Sequence, residues 1–173
     1  MIFKKAKHNF NIDDLYIKIV ELSRKKYLYK ELNISDSFDS RITLIFFHIS
    51  FILINMKKMG DDYKKISQSI FDHMFGHIEL NMRELGYGDT SVNKKMKILI
   101  NSFYNTLLKL EKFHLLADDK KKDIINDSFY TEKNIKNDKS VLLVKYFDNF
   151  NHFAINLSLN KIVKGDINFS YSI

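Results

Sequence analysis

The chain of 173 residues contains no cysteine, no proline and no tryptophan, and it has only five glycines. Because cysteine is absent, disulfides, zinc ribbons, iron–sulfur clusters and thiol catalysis are excluded. Because proline is absent, the strongest helix breaker is missing, and helix is the expected default. The sequence also lacks a Walker loop, a Gly-x-Gly-x-x-Gly motif and a Gly-x-Ser-x-Gly elbow. Nucleotide binding and serine-hydrolase chemistry therefore have no support in the sequence.

The chain carries an excess of positive charge. Its 28 lysines and arginines outnumber its 21 acidic residues, which gives a net charge of +7 and a pI near 9.3. This balance favours an anionic partner such as RNA, anionic lipid or an acidic protein surface. The basic residues are spread along the chain rather than gathered in one stripe, so they do not indicate a dedicated nucleic-acid groove. Residues 1–10 are basic, too short and too polar for a secretory signal, and are expected to form a loose tail.

A nearly continuous apolar run, ITLIFFHISFILINM, occupies residues 42–56. As a helix it would reach only about 22 Å at 1.5 Å per residue, short of the ~30 Å hydrocarbon core of a bilayer. Thr43, His48 and Ser50 also interrupt it. We therefore predict a buried central helix at about residues 41–57, with His48 as a core residue.

The segment after Gly60 shows a strong amphipathic pattern. Its apolar residues recur every three or four positions, as Tyr63, Ile66, Ile70, Met74, Ile78, Met82 and Leu85. Gly86 stands where a left-handed C-terminal cap is expected. Asp89 or Ser91 is predicted to cap the next helix. The apolar stripe of that helix comprises Val92, Met96, Leu99, Phe103, Leu107 and Leu110.

The remaining segments complete an all-α prediction. Helices are expected at 12–30, 122–130 and 141–159, with a charged junction at 117–123, a loop at 131–139 and a last turn ended by Gly165. The helix at 141–159 is predicted to place Leu142, Tyr146, Asn149 and Phe153 on one side. The tail after Gly165 could form a strand, but it has no visible partner. With 45% apolar residues and no evident linker, residues 1–173 are expected to form a single helical domain. We predict an irregular bundle of about six to seven helices around the central one.

The run FDHMFGHIELNMRELGYGDTSV, residues 71–92, holds the densest set of ionisable groups. Its polar face carries Asp72, His73, His77, Glu79, Arg83 and Glu84. Such a face could be a metal site, a catalytic site or a surface that binds another protein. His73 and His77 are four residues apart and so share one helix face, as helical metal ligands do. However, the Glu of the His-Glu-x-x-His motif and the paired Glu-x-x-His segments of di-iron bundles are missing. Solvent-facing or partner-facing roles are favoured, and a metal site at these histidines stays open as the alternative.

Two ordered blocks resemble the signature of the ubiquinol–cytochrome c chaperone family. The first block matches at Phe71, Asp72, Met74, Phe75, Arg83, Glu84, Gly86, Gly88, Asp89, Val92, Phe103 and Tyr104. The second, YKELNISDSFDSRITLIFFHISFIL, matches at Tyr29, Asp36, Arg41 and His48. The chain departs from the family pattern at Ser40, where glycine is favoured, at Phe47, where leucine is usual, and at His77, where an acid is usual. The last departure makes this face less acidic.

The resemblance implies a non-enzymatic role without a cofactor. Members of the family are assembly factors that bind newly made cytochrome b, support its haem loading and promote its incorporation into the ubiquinol–cytochrome c reductase. By resemblance, the partners would be cytochrome b, the ribosome near its exit tunnel, an anionic membrane surface and a small helical protein. The expected location is the cytoplasm, peripheral to the inner membrane of a bacterium, or the matrix side in a mitochondrion.

The resemblance, joined to the charged face, predicts a partner-binding site at the end of the amphipathic helix. We expect Arg41, Asp72, Arg83, Glu84 and Asp89 to converge around the turn formed by Gly86 and Gly88, with Phe75 as an apolar contact. The other interpretation is that Arg83, Glu84 and Asp89 only cap and staple helices. Two further functions remain open: a helical metal-binding enzyme that uses the face of His73 and His77, and a peripheral membrane- or RNA-binding module.

Overall fold

The computed structural model describes residues 12–60, 63–130 and 138–171 of the chain. Over these residues it is helical, without strands, and this confirms the predicted all-α class. The helices are α1 (Ile12–Ser23), α2 (Lys26–Lys30), α3 (Phe38–Met56), α4 (Tyr63–Glu84), α5 (Asp89–Leu110), α6 (Asp118–Phe129), α7 (Asp138–Ile155) and α8 (Leu159–Val163), with a 3-10 turn at Phe113–Leu115. The predicted tail at 1–10 lies outside the described residues, as does most of the predicted loop at 131–139.

The central helix α3 is confirmed as the middle of the fold. It packs against α1, α5, α6 and α7, and it begins where the Ser37 hydroxyl accepts a hydrogen bond from the Ser40 N–H at 3.1 Å. His48 on this helix is fully buried, as predicted. By length and composition α3 is the one helix among the described residues that could cross a membrane, but 67% of its apolar window is buried inside the fold. Because a buried core helix passes the same test, this is weak evidence for a membrane span.

The predicted cap at Gly86 is confirmed in detail. Gly86 has a φ of +86°, which side chains other than glycine rarely adopt. Its N–H donates to the carbonyl of Arg83 at 2.9 Å, and the Tyr87 N–H donates to the carbonyl of Met82 at 3.1 Å. These two bonds form the Schellman motif that ends a helix at a left-handed residue. The chain therefore turns sharply between α4 and α5.

Four predicted helix boundaries differ from the structure. The helix predicted at 141–159 is α7, which begins at Asp138 and ends at Ile155. The helix predicted at 12–30 is divided into α1 and α2, because Lys25 adopts an extended conformation. Helix α6 begins at Asp118 instead of residue 122, so the charged junction forms its first turns, where Asp118 and Asp119 favour the helix dipole. Capping by Asp89 or Ser91 is wrong: Gly88 is the N-cap of α5, without a side-chain hydrogen bond.

The buried face of α7 also differs from the predicted one. Tyr146 is buried as expected, but Asn149 is exposed. The buried row is instead Leu143, Phe147, Phe150 and Ala154. Helix α7 contacts both α3 and α6, so the face it buries is set by two neighbours rather than by its own pattern. The tail after Gly165 forms no strand over residues 166–171.

Candidate functional site

A groove opens between α1, the start of α3 and the end of α4, and we call it the α1–α4 groove. Its volume is about 600 Å³. The lining residues are Tyr16, Ile17, Val20, Glu21, Ser23, Arg24, Phe38, Arg41, Ile42, Ile45, His77, Asn81, Glu84 and Leu85. Half of these residues have apolar or aromatic side chains, and the charged side chains lie at the rim. The groove is therefore an apolar trough with a polar edge.

Two exposed apolar side chains form the lips of the groove. Ile17 is 51% exposed and Leu85 is 64% exposed. Leu85 was predicted to continue the buried stripe of α4, and that prediction is wrong, because α4 ends at Glu84 and the chain turns away at Gly86. Ile17 lies off the buried face formed by Leu15, Ile19 and Leu22. Exposed apolar residues beside an apolar trough are typical of a surface that binds another molecule.

The rim of the groove carries Arg24 and Arg41 together with Glu21 and Glu84. Arg41 is held in place by Asp36, with 2.7 Å between its Nη2 atom and Oδ1. Both side chains are about half exposed, so this pair orients Arg41 more than it stabilises the fold. Next to this rim is a smaller depression of about 340 Å³, lined by Arg24, Lys26, Tyr29, Lys30, Asp36 and Arg41. One end of the groove is therefore strongly basic.

The turn between α4 and α5 is bridged by Arg83. Its Nη2 atom lies 2.8 Å from Glu79 Oε1 on the preceding helical turn, and its Nη1 atom contacts Asp89 Oδ1 at the start of α5. These hydrogen bonds, to Asp89 first and then to Glu79, raise the pKa of Arg83. All three side chains are exposed. Arg83 thus connects the two helices across Gly86 and Gly88 on the outer surface.

The structure does not bring the predicted set together at one point. Arg41 and Glu84 both line the groove, whereas Arg83 and Asp89 pair with each other at the turn. Asp72 accepts a hydrogen bond from Gln68 at 2.7 Å, and it lies about 18 Å along the helix axis from Glu84. Phe75 is 4% exposed and packs on Phe46, Phe71 and Phe103 in the core. A cluster of all five charged residues is therefore not observed.

The two histidines of α4 meet a residue that the sequence did not indicate. Asp13, in the first turn of α1, places its Oδ1 atom 2.7 Å from His73 Nε2 and 3.9 Å from His77 Nε2. Tyr16, one turn later, stacks on the ring of His77 with 4.8 Å between centroids. No pattern in the sequence indicates that residue 13 lies close to residues 73 and 77. Only the packing of α1 against α4 makes this neighbourhood.

Comparisons with known proteins agree with the fold. A model of the family described as Ubiquinol-cytochrome C chaperone matches residues 30–169. Among solved structures, the chain is similar to the crystal structure of the Cbp3 homolog from Brucella abortus. The TM-score is 0.77 and the identity 22%, with 92% of this chain and 88% of that chain covered. At this identity the likeness shows a shared fold alone. A comparison with curated proteins found no match.

Proposed function

The chain belongs to the ubiquinol–cytochrome c chaperone family, and on this premise we propose that it is a non-enzymatic assembly factor that binds newly made cytochrome b. Its role would be to bind cytochrome b until cytochrome b is incorporated into the ubiquinol–cytochrome c reductase. The observation that carries the proposal is the α1–α4 groove, an apolar trough of about 600 Å³ with a charged rim. Cytochrome b is a protein of membrane-spanning helices, and such helices need an apolar surface before they are inserted.

The shape and chemistry of the groove support a helical client. Protein domains commonly bind helices by accepting apolar side chains at positions i, i+3, i+4 and i+7 in a hydrophobic groove. The lips of this groove, Ile17 and Leu85, expose apolar surface to a client already in the folded chain. A trough of this size accommodates the anchoring side chains of one helix face and leaves the rest of the client outside.

The rim suits a client that is emerging beside a membrane or a ribosome. Arg24, Lys26, Lys30 and Arg41 surround the depression at one end of the groove, with Asp36 as the one acid among its lining residues. Basic side chains near a membrane surface gain about 1 kcal/mol each from anionic lipid. They also favour contact with the phosphates of ribosomal RNA. We therefore place the chain peripheral to the membrane, with the basic end of the groove towards the anionic surface.

Within this proposal the predicted residues have separate roles. Arg41 and Glu84 are the charged contacts at the rim of the groove. Arg83 and Asp89, with the turn at Gly86 and Gly88, hold the end of α4 and so place Leu85 and Glu84. Asp72 belongs to a different stretch of the α4 surface, and Phe75 keeps α4 seated on the core.

The test is a strain that lacks the gene, complemented with the wild-type chain or with variants. We expect the deletion to lose cytochrome b and ubiquinol–cytochrome c reductase activity. Leu85→Asp and Ile17→Asp should fold, because both side chains are exposed, and should fail to restore either one. Leu108→Asp is the matched control, since Leu108 is 70% exposed and does not line the groove. Normal cytochrome b levels in the deletion strain would overturn the proposed function.

A second pair of variants separates binding from folding at the turn. Arg83→Ala and Asp72→Ala each remove an exposed charged side chain. If the role of Arg83 is to place Leu85 and Glu84 at the groove, Arg83→Ala should fold with an unchanged urea midpoint but restore less cytochrome b. If the variant unfolds instead, Arg83 serves as a helix staple. Complementation by Asp72→Ala at the wild-type level would remove Asp72 from the client-binding surface.

A further inference from the structure

We propose that Asp13, His73 and His77 form a binding site for a divalent transition-metal ion, with Zn²⁺ as the best-fitting ion. The site joins the first turn of α1 to the middle of α4. One of its ligands, His77, also lines the α1–α4 groove, but the proposed chaperone role does not require an ion. Its ligands are two imidazoles and one carboxylate, a donor set that suits Zn²⁺ in sites that keep a position open for water.

The distances match a shared ion. The ligand atoms of the three side chains all lie within 4.8 Å of one another. Zn–N and Zn–O bonds of about 2.0–2.1 Å at a tetrahedral angle separate two donor atoms by about 3.3 Å. The observed separations from Asp13 Oδ1, 2.7 Å to His73 Nε2 and 3.9 Å to His77 Nε2, lie on either side of that value. Small rotations of exposed side chains would equalise them.

The direction of the His73 ring is a second, independent observation. His73 Nε2 is buried and has no hydrogen-bond partner among the described residues, although Asp13 Oδ1 is only 2.7 Å away. The carboxylate oxygen therefore lies off the axis along which the ring nitrogen donates or accepts. Two ligands of one ion have this relationship, because each points at the ion and not at the other ligand. An imidazole hydrogen-bonded to a carboxylate would point at it directly.

The surroundings allow an ion to enter and be held. The side chains of Asp13 and His77 are 67% and 41% exposed, so one side of the site faces water. A shallow depression lined by Asp72, His73, Gly76, His77 and Leu80 lies on that side. Tyr16 packs against both rings, stacked on His77 and edge-on to His73 at 5.9 Å, and limits their rotation. The open side leaves room for a water as the fourth ligand.

The test uses the full chain without a histidine tag, stripped with a chelator and titrated with Zn²⁺ by calorimetry. Co²⁺, with its visible absorption bands, reports the geometry. We expect one ion per chain and a rise in melting temperature with added Zn²⁺, since an ion that binds only the folded state stabilises it. His77→Gln and Asp13→Asn should weaken binding by more than about tenfold, because even the loss of a ligand's hydrogen-bond partner costs about 10–100-fold.

His152→Gln and His114→Gln are the controls, since both histidines are exposed and lie outside the cluster. They should bind Zn²⁺ as the wild type does. The proposal is overturned if the wild-type chain binds no ion, or if His77→Gln and Asp13→Asn bind it unchanged. These measurements need no client, so a negative result for Zn²⁺ binding does not bear on the chaperone proposal. A negative result of the complementation test likewise does not bear on the metal site.

Discussion

The side chains of His48 and Tyr146 are hydrogen-bonded to each other in the middle of the core, with 2.7 Å between Nε2 and the phenolic oxygen. The other ring nitrogen, Nδ1, lies 2.6 Å from the carbonyl of Leu44. A carbonyl can only accept, so Nδ1 carries the proton and Nε2 accepts from the tyrosine hydroxyl. Both side chains are completely buried. This contact links α3 to α7 and satisfies every polar atom of the imidazole.

Tyr146→Phe should destabilise the chain by about 1–3 kcal/mol, the cost of leaving a buried acceptor unsatisfied. The substitution keeps the ring and its packing, so the effect isolates the hydroxyl. Urea unfolding followed by circular dichroism measures it. Tyr104→Phe is the control, because Tyr104 is 50% exposed and its hydroxyl can bond to water. Equal stability of the two variants would show that the buried bond contributes nothing.

The stability should fall as the pH is lowered from about 6.5 to about 4. Burial lowers the pKa of His48 to about 4, whereas a histidine in the unfolded chain titrates near about 6.5. Between these values the unfolded state binds a proton that the folded state does not, so acid favours unfolding. The loss from this one group reaches about 3 kcal/mol near pH 4 and levels off about one pH unit below it.

The measurement for this pH effect is the free energy of unfolding at several pH values between 7.5 and 4. His48→Gln removes the titrating group, and its stability should depend less on pH across this window. His152→Gln removes an exposed imidazole and serves as the control. A wild-type chain and a His48→Gln variant with parallel pH profiles would contradict the assignment.

Gly165→Ala should be far more destabilising than Gly86→Ala. Both glycines have positive φ, +65° and +86°, and a left-handed alanine costs roughly 1–2 kcal/mol at either. A Cβ at Gly165 would also lie 2.5 Å from the backbone carbon of Asp14, while a Cβ at Gly86 meets nothing within 4 Å. Displacing α1 adds about 1–3 kcal/mol, as overpacking does. Thermal unfolding of the two variants gives the comparison, and similar losses would contradict the close approach.

Asp148→Asn should cost about 1–3 kcal/mol, because it leaves the ammonium of Lys121 poorly compensated. The Lys121 Nζ atom lies 2.9 Å from both carboxylate oxygens of Asp148, and its side chain is only 10% exposed. Phe113 covers it from another side, at 5.4 Å from the ring centroid. Glu111→Gln, in the exposed pair with Lys57, is the matched control and should leave the urea midpoint unchanged.

Several local features were predictable because their causes lie within a few residues. The apolar run at 42–56, interrupted by polar side chains, favoured a buried helix, and Gly86 follows a regular stripe at the position where a helix ends with positive φ. The division between α1 and α2 was not predictable in this way, because the polar stretch around Lys25 is compatible with helix. The sequence pattern also did not predict the buried face of α7, because that face depends on packing against both α3 and α6.

The candidate site also combines features that the sequence predicts with contacts that it does not. Spacing alone places His73 and His77 on one face of α4, and the resemblance draws attention to Arg83 and Asp89. Neither could indicate that Asp13 reaches the two histidines, or that Ile17 and Leu85 form the lips of one groove. Those contacts join residues far apart in the chain, and no periodicity encodes them.

The absence of cysteine and proline, the apolar run and the regular stripes by themselves determined that this is a helical chain built around one buried helix. They did so because helix formation and burial depend on residues within one or two turns of each other. The tertiary structure alone decided which surfaces face each other: α1 packs against α4, which forms the apolar groove and brings a carboxylate close to two histidines, one of which, His77, also lines that groove. Those pairings depend on how whole helices pack, and packing is settled by the shape of all the neighbours at once.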